Sequence, residues 1–161
     1  MASFSKFLES FNDDNSKGKQ FEVFVKWFLE NDPEWKTQVD KVWLWDKYPN
    51  RWGRDDGIDL IFRHKNGETW AVQAKCYDKK YAVTKGDMDS FLSESSRPEI
   101  DRRLLMASTD NIGTRIKKLC LAQEKPVTLF KHSDFTKSQI EYPEHIKDLE
   151  KVEELIRIRD N

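Results

Sequence analysis

Asp59, Gln73 and Lys75 are the residues of this chain whose types and spacing could do chemistry together. They lie in two stretches, Gly57-Ile58-Asp59-Leu60-Ile61-Phe62 and Trp70-Ala71-Val72-Gln73-Ala74-Lys75, which alternate with the period of two of half-buried strands. Ile58, Leu60 and Phe62 point one way, as do Trp70, Val72 and Ala74. Whether the polar residues between them share a face depends on register. The connector Lys65-Asn66-Gly67 allows two hairpins. A two-residue Asn-Gly loop pairs Asp59 with Ala74 and Leu60 with Gln73. A three-residue loop with Gly67 in the left-handed position pairs His64 with Glu68. Ile58 then faces Ala74, Leu60 faces Val72, Phe62 faces Trp70 and Asp59 faces Gln73. A slip of one residue turns every side chain over, so the apolar pattern selects the three-residue loop.

That register sets Asp59 and Gln73 opposite one another, with Cβ atoms about 4.5–5.5 Å apart, and Lys75 diagonal to them on the same face. A carboxylate and an amide oxygen suit a hard cation such as Mg²⁺, and an ammonium beside them suits a phosphate. The plainer reading is a polar cross-strand ladder on a solvated face, which is the commoner fate of such residues in a hairpin.

Composition limits the classes available. With 161 residues the chain is one domain's worth, and 37% hydrophobic against 35% charged residues describes a soluble globular chain. No apolar run is long enough to span a membrane, and Met-Ala-Ser-Phe-Ser-Lys is no signal peptide, so the cytoplasm is the expected compartment. Cys76 and Cys120 lack metal-ligand spacing and read as small core residues. His64, His132 and His145 are isolated, and each reads as a surface or turn residue. A net charge of −1 argues against an avid, autonomous polyanion binder. Even so, Lys47, Arg51 and Arg54 precede Asp59, and Lys75, Lys79, Lys80 and Lys85 follow Gln73. Basic residues on both sides of one polar site favour a phosphate-bearing partner.

The elements that must position the site can be read in order. Phe4, Leu8 and Phe11 predict a short amphipathic helix. Phe21, Phe24, Val25 and Phe28 predict a second from about Lys19 to Asn31, with Glu22 at the edge of its buried stripe. Val39 to Trp45 is a strand. After the hairpin, Thr84-Lys85-Gly86-Asp87 has capping-box spacing with Asp in place of Glu, and Met88, Phe91 and Leu92 follow it. Arg103 to Ser108 predicts a strand, Ile112 to Glu124 a helix, Pro126 to Phe130 a strand, and Glu144 to Arg159 a charged amphipathic helix. The fold class expected is α/β, a mixed β-sheet flanked by helices in α-β-β-β-α-β-α-β order.

Three motifs in this order carry a resemblance: Gly18-Lys-Gln-Phe21-Glu22, Asp56-Gly57-Ile58-Asp59-Leu60 and Val72-Gln73-Ala74-Lys75. Over roughly residues 18 to 130 the sequence resembles the PD-(D/E)xK nuclease superfamily in its Mrr-like branch, which implies a restriction-endonuclease-like fold. The glutamate usual before x-Lys is Gln73, as is normal for that branch, and the proline of the motif's name is absent. Val42-Trp-Leu-Trp45, Arg51-Trp-Gly-Arg54 and Asp89-Ser-Phe-Leu-Ser-Glu-Ser-Ser-Arg97 resemble more narrowly the N-terminal nuclease domain of type ISP restriction enzymes, which are large single chains with a helicase-type ATPase.

The resemblance implies hydrolysis of phosphodiester bonds in double-stranded DNA. Asp59, Gln73, Lys75 and Glu22 would be catalytic, and Mg²⁺, or Mn²⁺ in its place, would be held by Asp59, the Gln73 amide oxygen and the Ala74 carbonyl. Lys75 would orient the attacking water or stabilise transition-state charge, and Glu22 would come in from its helix as an outer group. Arg51, Arg54, Lys79 and Lys80 are candidates for phosphate contacts, which position DNA without specifying sequence. Residues 1–142 would be the nuclease domain and 143–161 a helix leading towards a motor. ATP would act only through that motor, and the partners would be the helicase, methyltransferase and target-recognition domains of the parent polypeptide. Two other classes remain open on the residues alone: a DNA-binding module that does not cut, and a protein-interaction module using the tryptophans as anchors.

Overall fold

The structure is a computed structural model that describes residues 2–11, 17–53, 57–77 and 81–149. Among the described residues, five α-helices and five strands run in the order α1 (Phe4–Glu9), α2 (Lys17–Asn31), β1 (Val39–Leu44), β2 (Leu60–His64), β3 (Thr69–Lys75), α3 (Lys85–Glu94), β4 (Arg102–Ala107), α4 (Thr114–Ala122), β5 (Val127–Phe130) and α5 (His132–Lys137). The strands form one mixed sheet in sequence order, antiparallel from β1 to β3 and parallel from β3 to β5. The α/β class with helices on both faces is as expected.

Gly67 fixes the central register. Its φ of +94° is the left-handed conformation that the last residue of a three-residue loop requires. Gly67 N–H donates to the His64 carbonyl at 2.9 Å and His64 N–H to the Glu68 carbonyl at 2.8 Å. Leu60 therefore faces Val72 and Phe62 faces Trp70, whose rings stack with centroids 5.0 Å apart.

The expected pairing of Ile58 with Ala74 does not form. Gly57 takes a φ of +137°, and the chain leaves the ladder before Leu60. Ile58 turns into the cluster under α3 with Trp45, Tyr48 and Phe91, whereas Leu60 packs on the opposite face. A period of two holds only while the backbone stays extended, and Gly57 ends that condition.

Side chains alternating along β3 divide the core in two. Trp70, Val72 and Ala74 face the layer of α1, α2 and α5, where Phe4, Phe7, Phe21, Phe24, Phe28 and Phe135 make a nearly continuous aromatic packing. Ala71 faces α3 and α4, with Met88, Phe91, Ile116 and Cys120. Gln73 and Lys75 share its parity and lie on the α3 side. Tyr142, Ile146 and Leu149 close the first layer, and residues 150–161, which hold most of the expected final helix, lie outside the described residues. Helix α4 begins at Thr114 because Ile112 is drawn into a bridge with Val83. Helix α5 was not expected; Asp134 accepts the Lys131 N–H at 2.8 Å and closes its first turn.

Arg103 is 2% exposed on β4 and holds α3 and α4 to the sheet. Its guanidinium donates to the Leu92 carbonyl and Ser95 hydroxyl, both at 3.1 Å, to Gln123 Oε1 at 3.3 Å and twice to the Lys125 carbonyl. Neighbouring Arg102 makes an exposed pair with Glu68 at 2.9 Å and lies over the Trp70 ring, 5.8 Å from its centroid. Arg103→Met should therefore lower stability by about 3 kcal/mol, since it strands several buried acceptors. Arg102→Ala should cost no more than about 1 kcal/mol. Urea unfolding of the two variants makes the comparison.

Candidate active site

Where β2 and β3 part, one backbone group would be left without a partner. A continued ladder would give the Ala74 N–H to Ile58, but Ile58 has turned away. The Asp59 carboxylate replaces it: Oδ2 accepts the Ala74 N–H at 2.8 Å and the Gln73 Nε2–H at 2.9 Å. The Asp59 backbone is held on both sides, its N–H donating to the Val72 carbonyl and its carbonyl accepting from Trp45 N–H, each at 3.0 Å. The expected meeting of Asp59 and Gln73 is present, and it is a direct hydrogen bond.

Gln73 is 5% exposed, and its Oε1 is buried without a hydrogen-bond partner among the described residues. A buried amide oxygen left unpaired costs about 1–3 kcal/mol, so its presence asks for a ligand. The Ser108 N–H takes the Lys75 carbonyl at 2.9 Å, which directs that carbonyl towards β4. By alternation the Ala74 carbonyl lies on the β2 side, with Asp59. One carboxylate, one amide oxygen and one main-chain carbonyl are thus grouped at the end of the hairpin, a donor set of hard oxygens that fits a divalent cation. Among the described residues no three His, Cys, Asp or Glu side chains cluster for a metal.

Gln73 and Lys75 open into a groove of about 690 Å³ whose other wall is α3, with Gly57, Asp87, Asp89, Ser90 and Glu94. Gly57 seats the loop before Asp59 against that helix. A Cβ at this position would stand 2.7 Å from the Ser90 carbonyl carbon and 2.8 Å from Phe91 N. Only glycine allows so close an approach at that φ.

Glu22 is on α2, across the sheet from this groove. Its carboxylate is 3.7 Å from Lys19 Nζ, and it is absent from the groove lining. Arg51 is exposed and donates to the Tyr48 carbonyl at 2.9 Å. Arg54, Lys79 and Lys80 lie outside the described residues. The structure joins Asp59 to Gln73 and Ala74 by hydrogen bonds, and sets Gln73 and Lys75 in one groove.

Sequence reasoning missed Tyr77, Asp87 and Ser108. Asp87 was read only as a helix cap, and it is one, accepting the Thr84 N–H at 2.9 Å and hydroxyl at 3.0 Å. Tyr77 follows Lys75 at strand spacing, which was the one signal available for it.

A family model described as "Restriction endonuclease" (Mrr_cat_2) matches residues 30–152, well over half of the chain. The chain belongs to this restriction endonuclease family. The matched span includes Asp59, Gln73 and Lys75 and begins after Glu22. Among solved structures, the chain is similar to an "ATP-dependent Type ISP restriction-modification enzyme LlaBIII bound to DNA", with 27% identity and a TM-score of 0.74 over 88% of its length. It spans only 9% of that much longer chain. It also matches the "DNA modification-dependent restriction endonuclease AspBHI" (16% identity, TM-score 0.47, 95% of this chain and 42% of that one). A third match is "MspJI Restriction Endonuclease in Complex with 27-mer Oligonucleotide" (18%, 0.43, 83% and 26%). No curated protein matches the chain. This is a nuclease domain of the restriction-enzyme kind, with a mixed sheet flanked by helices.

Gly57 gives a test of how the site of this restriction endonuclease domain is positioned. Gly57→Ala should push the loop off α3 and displace Asp59, lowering cleavage by about tenfold or more, a sensitivity typical of misplaced catalytic groups. Gly67→Ala is the control, because its Cβ would meet nothing within 4 Å although the φ is also positive. It should cost about 1 kcal/mol of stability and leave the cleavage rate near the parent's.

Proposed function

We propose that this chain is a divalent-metal-dependent DNA endonuclease module that hydrolyses phosphodiester bonds. The observation that carries the reading is the unpaired, buried Gln73 Oε1 beside Asp59 and Lys75, within a restriction endonuclease family. Asp59, Gln73 and the Ala74 carbonyl are the groups that would hold the cation, Mg²⁺ with Mn²⁺ able to replace it. When bound, such an ion polarises a phosphate oxygen and lowers the pKa of a coordinated water.

The remaining work falls to the chain's own side chains. Asp59 carries the negative charge of the site, and its bond to Ala74 N–H keeps the carboxylate from swinging away. Gln73 adds no charge, so cation affinity is modest and bound DNA strengthens it. Lys75 donates hydrogen bonds to a phosphate oxygen or to the attacking water, and offsets charge that develops at phosphorus. Glu22 enters only as the outer, water-orienting group that the family resemblance implies. Arg51, with Arg54, Lys79 and Lys80, contacts DNA phosphates. In the parent polypeptide we infer that residues 1–142 supply cleavage and 143–161 lead towards an ATP-driven motor, with methylation and target recognition in further domains. The 27% identical type ISP enzyme, of which this chain spans 9%, supports that arrangement.

Two outcomes test the site. Asp59→Asn keeps an oxygen for the Ala74 N–H and removes the charge, so the variant should stay folded while cleavage of supercoiled plasmid falls by about a hundredfold or more. Lys75→Ala should lose cleavage yet bind Mn²⁺ like the parent in calorimetry, because an ammonium cannot ligate a cation. Cutting by Lys75→Ala at the parent rate would sink the catalytic assignment. Glu22→Gln should reduce the rate less than either change.

DNA binding by the 161-residue chain should be weak and fall steeply with salt, as its net charge of −1 provides no general attraction. Fluorescence anisotropy on unrelated duplexes at two salt concentrations measures this. Tight, sequence-selective binding at physiological salt would contradict it.

A further inference from the structure

The Lys75 ammonium makes no hydrogen bond or close ion pair among the described residues, whereas its backbone is held in the sheet. The Ser108 N–H takes the Lys75 carbonyl at 2.9 Å. Two residues on, the buried Ser108 hydroxyl accepts the Tyr77 N–H at 2.7 Å and donates to the Tyr77 carbonyl at 2.8 Å. One side chain thus takes both main-chain groups of Tyr77 and binds the strand extension to the end of β4. Tyr77 shares the parity of Gln73 and Lys75, and its ring packs against the core under α3.

The Tyr77 hydroxyl lies near the Asp87 carboxylate, and each shifts the other's titration. Burial, then the nearby Asp87 carboxylate, push the tyrosine up to about 12, so at neutral pH it is a donor. Partial burial works to raise Asp87, but the Thr84 N–H, the Tyr77 and Thr84 hydroxyls and the Lys75 ammonium outweigh it and hold Asp87 below the usual carboxylate range. Both Thr84 bonds go to the same oxygen, Oδ2. A helix cap needs no more than this. The groove has two other acids, and each is engaged elsewhere: Asp89 pairs with Lys85 at 3.2 Å, and Glu94 accepts the Trp52 indole N–H at 3.0 Å.

Resting on the endonuclease reading above, we propose that Asp87 is the positioning residue for Lys75: anchored by Thr84, with Tyr77 beside it, its carboxylate faces the ammonium across the groove and holds it ready for the phosphate. Its anchors matter because a carboxylate free to rotate would collapse onto the lysine, competing with the substrate for it. Thr84 holds the acid by two bonds to Oδ2, on the wall of the groove that Lys75 also lines.

Asp87→Asn separates this role from capping, because the amide oxygen can still accept from Thr84. In plasmid cleavage with saturating Mg²⁺, Asp87→Asn should lower kcat by about tenfold, while KM for DNA stays level or falls as a negative charge is lost. Its melting temperature should remain near the parent's. Asp87→Glu, which restores the charge, should recover part of the rate, and Tyr77→Phe should fall between Asp87→Asn and the parent. NMR relaxation of the Lys75 ε-carbon gives a readout that needs no cleavage: the side chain should be ordered in the parent and mobile in Asp87→Asn. Unchanged kcat, or unchanged Lys75 order, would overturn the proposal; so would a rate loss matched by lost stability. If instead Lys75→Ala cleaves normally, it is the catalytic reading that fails, and the relaxation experiment still judges Asp87.

Discussion

The β2–β3 ladder stops at a carboxylate. Asp59 accepts the backbone N–H of Ala74, which the departing chain would otherwise abandon in a half-buried setting. A main-chain donor without a partner there costs free energy comparable to a whole hydrogen bond, so the hairpin can open only where some side chain takes the ladder's place. An asparagine or serine could do as much. An aspartate does it with a charge-assisted bond, and leaves net negative charge in the gap where the strands separate. The same group that closes the secondary structure therefore supplies the charge that the proposed cation would need.

That dual role constrains what surrounds it. Gly57 must carry no side chain, because the turn before Asp59 lies directly on the backbone of Ser90 and Phe91. The aromatic layer on the far side of the sheet, with Phe21, Phe24 and Phe28 buried against Leu60, Phe62 and Val72, gives β2 and β3 a rigid backing. The polar groups Gln73 and Lys75 lie on the α3 side, at the carboxyl end of β3, where parallel strands of α/β sheets commonly present their ligands. Arg103 makes the α3 layer equally fixed from below, so both walls of the groove are tied to the same sheet.

Much of this was legible in sequence, for reasons that differ by residue. The hairpin register was readable because Gly67 and the apolar alternation independently demanded one pairing. Asp59 and Gln73 could be placed together for the same reason. Ile58 could not, since its side depends on the φ of Gly57 and on the close approach of α3, a tertiary contact with no local signature. Asp87 was readable as a cap from spacing alone, but its relation to Lys75 needs α3 docked on β3. Arg103 looked like an ordinary polar strand end; its burial depends on carbonyls from Leu92 and Lys125, which only the assembled fold supplies. Helix α5 has six residues, too few for a periodic signal. Helical spacing put Glu22 at the boundary of the α2 stripe, and spacing alone cannot say which sheet end that boundary approaches.

The charge pattern of the groove bears on how such a site meets DNA. Asp87, Asp89 and Glu94 line one wall, and Lys75 is the basic side chain in the same lining. Within this groove, a phosphate approaching along α3 meets repulsion until it reaches the lysine. Coulomb forces over longer range are screened within about 8 Å at physiological salt, and the chain's near-neutral total adds little. A site built this way discriminates strongly between a phosphate in place and one nearby, and gathers DNA poorly from solution. Linkage to a unit that already holds the duplex removes that deficit, because a tether raises the effective concentration of substrate without any new contact. On the endonuclease reading proposed above, low intrinsic affinity would confine cutting to phosphates that a linked unit delivers.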